Sequence, residues 1–500
     1  MAVGATKSID ELVSKLKSIL VEDQLNALAL QAGFITRQRK LSADSFLRML
    51  LFDHFQYRSP SLQQHAIGFY QEGATDISKQ AIDKRFNDKA VLFIEKLFEA
   101  LLSQQQLNTQ IGSHLSAHFN AIKVMDSTEF KLPDSFAEVF PGYSACNALA
   151  CAAIQLEYDV LSGKVHYFSL GNARQSDKTV ADIRMDNIAA GDLILRDLGY
   201  YSTDSYLKIE QQKAFYVSRL KAQVGIYTQQ AGQYAKLSWS QILQQAQRSK
   251  TGFFDQWVYI GKEQKHPVRM VAWALPEDAS SNRLLNKQSK KGKINNEDKI
   301  WSKLNVFVTN IENDILDVKQ VYNLYKIRWQ IELMFKIWKS IVNINIVHKM
   351  KPCRLKCYLY SKFLWILICR DITTIAKATY WTSNKALLSD YKCMAILKAS
   401  ATSLKSVLFG SARKLKEWLI KITEELIAYG YKENKKGRPK LSDLLQLKDQ
   451  IEATTFIFAV DKKNSHQHPT YQLNTDGYKK NKYMRNKIVP AGNRRDFICA

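Results

Sequence analysis

Apolar residues change their spacing twice along this 500-residue chain, and the two changes restrict its fold more than any other feature. Between residues 8 and 110 they recur at helical intervals, as in Leu12, Leu16, Ile19 and Leu20 and again in Phe46, Leu47, Leu50 and Leu51. Near residue 120 the pattern becomes extended. AIKVMDSTEFKL predicts a strand that ends at Asp126, CAAIQLEYDVLSGKVHYFSL a hairpin turning near Ser162-Gly163, and SDKTVADIRMDNIAA a helix capped by Ser176 or Asp177. Gly191 then precedes DLILRDLGY, a short strand meeting Asp197. A right-handed helical crossover between the third and fourth strands makes neighbours of the first and fourth strand ends, so Asp126 and Asp197 can meet although far apart in sequence. Beyond Tyr201, the segments KAFYVSRL, DQWVYIG, HPVRMVAWALP and KLNVFVTN are extended, in place of the helix that would complete a minimal α/β unit. They predict a β-rich insertion. From Asp317 helical spacing returns and persists to about residue 430.

Charge is distributed as unevenly as spacing. The chain carries 72 Lys+Arg against 47 Asp+Glu, a formal net charge of +25, which predicts a polyanionic partner, nucleic acid foremost. Residues 301–400 hold 16 basic and 6 acidic side chains and residues 401–500 hold 20 and 10, so most of the excess is C-terminal. Two clusters, Arg283 to Lys303 and the tail after Asp461, are expected to be loops or arms. The seven cysteines match no paired zinc pattern and are expected to be reduced, mostly buried thiols. With no apolar signal segment at the N-terminus, and with the apolar run Phe363 to Cys369 far short of the roughly 20 residues a membrane span needs, the expectation is a cytoplasmic protein without a membrane partner.

Two helical segments carry candidate chemistry. SLQQHAIGFYQEG followed by ATDISKQAIDKRFNDKA is a helix-turn-helix candidate, in which Asp76 or Ser78 caps a helix presenting Lys79, Lys84, Arg85 and Asn87 to a major groove. An ordinary exposed helical face fits the same residues. In VYNLYKIRWQIELMFKIWKS, residues 321–340, Leu324, Ile327, Ile331, Met334, Phe335 and Trp338 fall on one arc, with Tyr325, Arg328, Glu332, Lys336 and Lys339 on a narrow face beside it. Taken alone, that pattern also suits an amphipathic surface helix with an Arg328–Glu332 pair.

Tyr325-x2-Arg328-x3-Glu332-x6-Lys339 resembles the Tyr-Arg-Glu-Lys signature of the DDE transposases of bacterial insertion sequences, in the branch whose ribonuclease-H-like domain carries a β-strand insertion. Asp126 in VMDSTEF and Asp197 in RDLGYY resemble that family's first and second Asp contexts, and the likeness spans roughly residues 40–345. The resemblance implies that Asp126, Asp197 and Glu332 are catalytic and hold two Mg²⁺ ions, with Mn²⁺ as a substitute. It further implies that Arg328, Tyr325, Lys339 and Lys336 hold DNA phosphates. In that branch the cleaved 3′-hydroxyl attacks the opposite strand to give a hairpin, helped by a Trp just before the last insertion strand's apolar-apolar-apolar-Thr segment. Here that position is Asn305, and Trp301 lies four residues earlier. Lys436-Gly437-Arg438-Pro439 resembles an AT-hook core, which adds Arg438 to the DNA-binding candidates. His466 and His468 lack partners for a metal site and are expected in coil.

The expectation is therefore a multidomain α+β and α/β chain. It comprises a helical DNA-binding domain at 1–118, a ribonuclease-H-like core at 119–204, a β-rich insertion at 205–312 and a catalytic helix at 313–345. A helical C-terminal region at 346–440, possibly dimerising, and a basic tail at 441–500 follow. The implied function is metal-dependent cleavage at the terminal inverted repeats of a transposon and transfer into target DNA, by a homodimer in a synaptic complex on the bacterial nucleoid. A structure-selective nuclease or resolvase on the same fold, and a transposase-derived DNA-binding protein without cleavage, are the alternatives.

Overall fold

The computed structural model describes residues 3–432 and Leu441, apart from 37–40, 58, 72–75, 106–113, 144–146, 176, 201, 264 and 385. Arg438, His466, His468, Cys146, Cys499 and the tail lie outside the described residues. Ten strands form one mixed sheet: β1 (Ala121–Leu132), β2 (Ala150–Asp159), β3 (Val165–Asn172), β4 (Asp192–Arg196), β5 (Phe215–Arg219), β6 (Ile226–Gln230), β7 (Gln233–Leu237), β8 (Phe253–Ile260), β9 (His266–Ala274) and β10 (Leu304–Thr309). Their order is β3-β2-β1-β4-β5-β10-β9-β8-β6-β7. β1, β2 and β3 are antiparallel, while β4 runs parallel to β1 and β5 parallel to β4. That half of the sheet is consistent with a ribonuclease-H-like core.

Helices α1 (Val3–Leu20), α2 (Glu22–Gln31), α3 (Ala43–Gln56), α4 (Leu62–Gln71), α5 (Lys79–Arg85) and α6 (Asp88–Ser103) precede the sheet. Between strands lie α7 (Asp177–Ile183), α8 (Thr203–Gln211), α9 (Trp239–Arg248), α10 (Glu277–Lys291) and α11 (Asn296–Ser302). After the sheet come α12 (Val318–Ile327), α13 (Trp329–Ser340), α14 (Pro352–Asn384), α15 (Asp390–Ala399), α16 (Ala401–Leu408) and α17 (Ala412–Tyr429). Side-chain caps set several of these starts: Ser78 accepts from Ala81 N–H at α5, Asn87 from Ala90 N–H at α6, and Asp317 forms a capping box with Gln320 at α12.

Several elements differ from the sequence expectation. β1 does not end at Asp126: pairing with β2 carries it to Leu132, so only its parallel partner β4 stops early. The helix thought missing after Tyr201 is α8, and β5 beyond it pairs with β4, so the added strands begin after β5 rather than at residue 205. The cluster Arg283 to Lys303 is helical in α10 and α11. Leu275–Lys303 belongs to a second compact unit, separate from the unit that holds the sheet and the remaining described helices.

The N-terminal and C-terminal helices share a core. Helix α14 is buried along much of its 33 residues, including Phe363 to Cys369, and it packs against α1, α3, α6 and α17. An apolar run buried all round needs cover from several neighbours, which the N-terminal helices supply. Trp365 packs against Phe52 and Phe55, and Lys15 pairs with the buried Asp371 at 2.7 Å. Among the described residues no helix is long and apolar enough to cross a membrane.

Register at the start of β1 and β4 is held by side chains as well as by the ladder. Asp159 accepts from the N–H groups of Ile122, Leu161 and Ser162, tying the β2–β3 turn to β1, and Lys123 pairs with Asp192 at 2.6 Å. Gly191 has φ +79°, and a Cβ there would lie 2.5 Å from Asn120 Nδ2. Gly191→Ala should therefore cost about 1–3 kcal/mol, seen as a lower midpoint in chemical denaturation. An unchanged midpoint would mean that this register does not depend on the glycine.

Candidate active site

The parallel ladder between β1 and β4 runs from Ala121↔Asp192 to Met125↔Arg196 and stops there. The next residues are Asp126 and Asp197, so the two carboxylates stand beyond the last rung of adjacent strands. Helix α13 packs on β1, and α12 packs on β5 and β10. The segment 321–340 is two helices and not one, jointed at Arg328, where Arg328 N–H bonds Tyr325 O and Ile331 N–H bonds Arg328 O. Such i→i+3 bonds tighten the chain locally. Leu324, Ile327, Ile331, Phe335 and Trp338 are buried as their spacing predicts, whereas Met334 is only partly covered.

With those residues inside, the polar face meets the carboxylates. Arg328 Nη1 donates to Asp126 Oδ2 at 3.1 Å and Nη2 to Glu332 Oε1 at 2.7 Å. Tyr325 OH donates to Asp197 Oδ1 at 3.1 Å, and its ring stands edge-on to Phe307. Lys339 Nζ donates to Glu129 O at 2.8 Å. Lys336 is exposed, with its ammonium 4.5 Å from the centroid of the Trp329 ring. Asp126, Arg328 and Glu332 thus form one hydrogen-bonded set and Tyr325 with Asp197 another, and the Arg328 guanidinium lies 5.8 Å from the centroid of the Tyr325 ring.

Burial decides much of the electrostatics. It pushes Asp126 up to about 7, reinforced by Asp197 and Glu332 and opposed by Arg328 and the Ser127 N–H. Burial acts the same way on Asp197, but Arg328, the Leu198 N–H, the Tyr325 hydroxyl and Arg219 outweigh it and hold that carboxyl below its ordinary value. Glu332 is raised by burial despite Arg328 and Lys336. Burial lowers Lys339, and it brings Lys326 down to about 8.

Three carboxylates offer the hard oxygen donors that divalent ions such as Mg²⁺ or Mn²⁺ prefer. At present the guanidinium of Arg328 supplies the positive charge between Asp126 and Glu332. Among the described residues no group of three or more His, Cys, Asp or Glu side chains is placed to hold a metal ion. The donor chemistry fits such an ion, with Arg328 as the group that would give way.

The other candidates are not gathered here. Arg85 donates to Phe34 O and Leu41 O and lies over the Phe34 ring, and Asn87 caps α6, so both serve the fold. Lys79 and Lys84 are exposed. Asn305 is buried on β10 opposite Trp273, with neither of its side-chain polar atoms hydrogen-bonded, and cannot stack on a base from there. Trp301 is half-buried on α11, in the second unit. Three residues beside the carboxylates or bonded to their neighbours, Ser127, Gln155 and Tyr200, were not singled out by the sequence. Only the position of Tyr200, three residues past Asp197 in RDLGYY, hinted at proximity.

Residues 118–368 match the family model described as the transposase DDE domain, half of the chain. The chain belongs to the DDE transposase family. It is 30% identical over 416 residues to the transposase for insertion sequence element IS231F of Bacillus thuringiensis subsp. israelensis, covering 80% of this chain and 87% of that one. It is 25% identical over 470 residues to the transposase for IS1151 of Clostridium perfringens, covering 90% and 99%. As an insertion-sequence transposase it is a DNA-cleaving and strand-transferring enzyme, of a family that generally uses divalent metal ions.

In this transposase the raised Asp126 has a stability consequence. A carboxyl lifted in the folded state holds its proton longer than in the unfolded chain, so its stabilising share is complete at low pH and is lost as pH rises to about 7. In the absence of divalent ions, Asp126→Asn should therefore raise the melting temperature relative to wild type more at pH 8 than at pH 4.5. A difference that does not change with pH would contradict the raised carboxyl.

Proposed function

We propose that the chain is the transposase of its own insertion sequence, working by cut-and-paste with Asp126, Asp197 and Glu332 as the catalytic, metal-holding carboxylates. The observation that supports this most is the convergence of those three groups with Arg328 and Tyr325 beyond the last β1–β4 rung. Two divalent ions, Mg²⁺ or Mn²⁺, held among these oxygens would supply activation of the attacking oxygen and stabilisation of the leaving one.

The chain's own groups do the rest. Arg328 trades its carboxylate partners for a strand phosphate, where its planar fork offers two parallel hydrogen bonds. Tyr325, already donating to Asp197, fixes that carboxylate's orientation. Lys339 lies along the same helix and Lys336 is exposed beside it, so both can screen the flanking phosphates of a DNA end. The N-terminal helices, with exposed Lys79 and Lys84, read the terminal repeats, with Arg438 and Trp301 as further contacts. Two ends must be cut together, so two protomers assemble on paired ends, in the bacterial cytoplasm at the nucleoid.

Glu332→Gln keeps the shape of the side chain and removes its charge. It should lower divalent-ion-dependent nicking of a duplex carrying the element's end on the order of 10³-fold, the scale of losing one charge-stabilising group, with end binding retained in a gel-shift assay. Cleavage at the wild-type rate would refute the assigned site. Wild-type cleavage without strand transfer would instead mark a structure-selective nuclease, and binding without cleavage a non-catalytic derivative.

A further inference from the structure

Backbone pairing fixes the separation of β1 and β4 only as far as Met125↔Arg196, one residue short of both carboxylates. Something else must hold Asp126 and Asp197 at a constant distance. Ser127 N–H donates to Asp126 Oδ1 at 2.8 Å, leaving Oδ2 to Arg328. On the other side, Tyr200 closes the 3-10 turn that follows Asp197, with its N–H bonded to Asp197 O at 3.0 Å. The phenol of Tyr200 ties this turn to the sheet: it donates to Gln155 Oε1 on β2 at 3.2 Å. Gln155 stands directly opposite Ser127 in the β1–β2 ladder and donates from Nε2 to Asp177 Oδ1, in the first turn of α7, at 2.9 Å.

Side chains alternate along a strand, so Met125 and Ser127 face one side of β1 and Asp126 the other. The Tyr200 ring packs with Met125, Val180 and Ala181 in a buried cluster on the Ser127 side, behind the carboxylates. Ring and hydroxyl thus have separate tasks. Packing holds the turn against the sheet, and the hydroxyl ties it to Gln155 on β2.

We propose that Tyr200 and Gln155 are positioning residues that take over from the β-ladder and set the Asp126–Asp197 separation needed to hold divalent ions. This rests on the reading of Asp126, Asp197 and Glu332 as the metal-holding site. Groups behind metal ligands typically change metal affinity about 10–100-fold when lost. The effect here is expected in ion affinity more than in the limiting rate, because Tyr200 touches neither substrate nor ion.

The test is a Mn²⁺ titration of the full chain bound to a duplex of its element's end, followed by the paramagnetic resonance signal of free Mn²⁺, with Asp126→Asn defining the background of ions held by DNA. Tyr200→Phe keeps the ring and loses the hydroxyl, and Gln155→Met keeps the length of the side chain and loses the amide that meets that hydroxyl. Each should weaken the site-specific Mn²⁺ binding about 10–100-fold. The Mn²⁺ concentration for half-maximal cleavage should rise in parallel, with most of the maximal rate recovered at high Mn²⁺. If both variants bind Mn²⁺ as wild type does while Asp126→Asn abolishes the specific component, the positioning role is refuted and the metal-site reading stands. If Asp126→Asn leaves binding unchanged, both fail. A loss of maximal rate without any change in Mn²⁺ affinity also refutes the positioning role.

Discussion

Bringing Asp126, Asp197 and Glu332 into one partly buried group sets like charges against each other and strips them of water, and Arg328 is the group that offsets both costs. A guanidinium can serve two carboxylates at once because its donors diverge in a plane, which a lysine ammonium could not reproduce with the same geometry. Its place at the joint between α12 and α13 follows from this demand. A continuous helix would hold the residue at one fixed angle, whereas the tightened turn at Arg328 directs the side chain across to Asp126 as well as back to Glu332. The attraction does not fully repay burial at Asp126, whose carboxyl remains raised, while it prevails at Asp197. The two acids thus differ in readiness to ionise despite standing on neighbouring strands.

That difference depends on how the sheet delivers them. β1 continues past Asp126 only because β2 continues beside it, and β2 is buried along its whole length. A strand paired on one side and released on the other leaves an opening where β4 ends. Next to it stand the turn after Asp197 and the α12–α13 joint, whose Tyr325 and Arg328 reach Asp197 and Asp126. A fold in which β1 also stopped at Asp126 would leave that residue on a frayed end, without the Ser127 N–H and without the Ser127–Gln155 rung behind it. The packing of the helical bundle is coupled to this arrangement through α14, since Phe363 contacts both Phe168 on β3 and Trp338 on α13.

Much of this could be read in the residues, and the parts that could not have physical reasons. The strand, hairpin, helix and strand around Asp126 and Asp197 follow from local spacing and turn chemistry, and the arc containing Leu324 and Phe335 follows from helical period. The full length of β1 was hidden because SerThrGlu after Asp126 looks polar, and only its pairing with β2 makes it a strand. The amphipathic pattern over 321–340 is blind to a single tightened turn, since the period barely shifts. α8 was obscured by a polar sequence, TDSYLKIEQ, whose buried face is only Ser205, Tyr206 and Ile209. Gln155 and Tyr200 act through hydrogen bonds between distant segments, for which no spacing rule exists.

Charge was the least faithful guide, for a reason the bundle makes plain. A count of basic residues after position 300 treats each as surface, yet several are consumed by the fold. Lys362 donates to Asn343 O, Lys398 to Ile341 O, Arg354 to Pro60 O and Arg370 to Asp371, and in each case the cation satisfies a carbonyl or carboxylate inside the helical region. Lys362 is buried enough that its ammonium is lowered to about 8, so part of its formal charge is itself lost near neutral pH. Cations engaged in this way contribute less to counterion release from DNA, since each is already partnered within the protein and Lys362 is buried outright. The electrostatic pull on DNA from the described C-terminal region must come from exposed groups such as Lys336, Lys349 and Lys414, and is smaller than the net count suggests. Basic composition therefore identifies the class of partner, while burial decides how much of that charge the partner can meet.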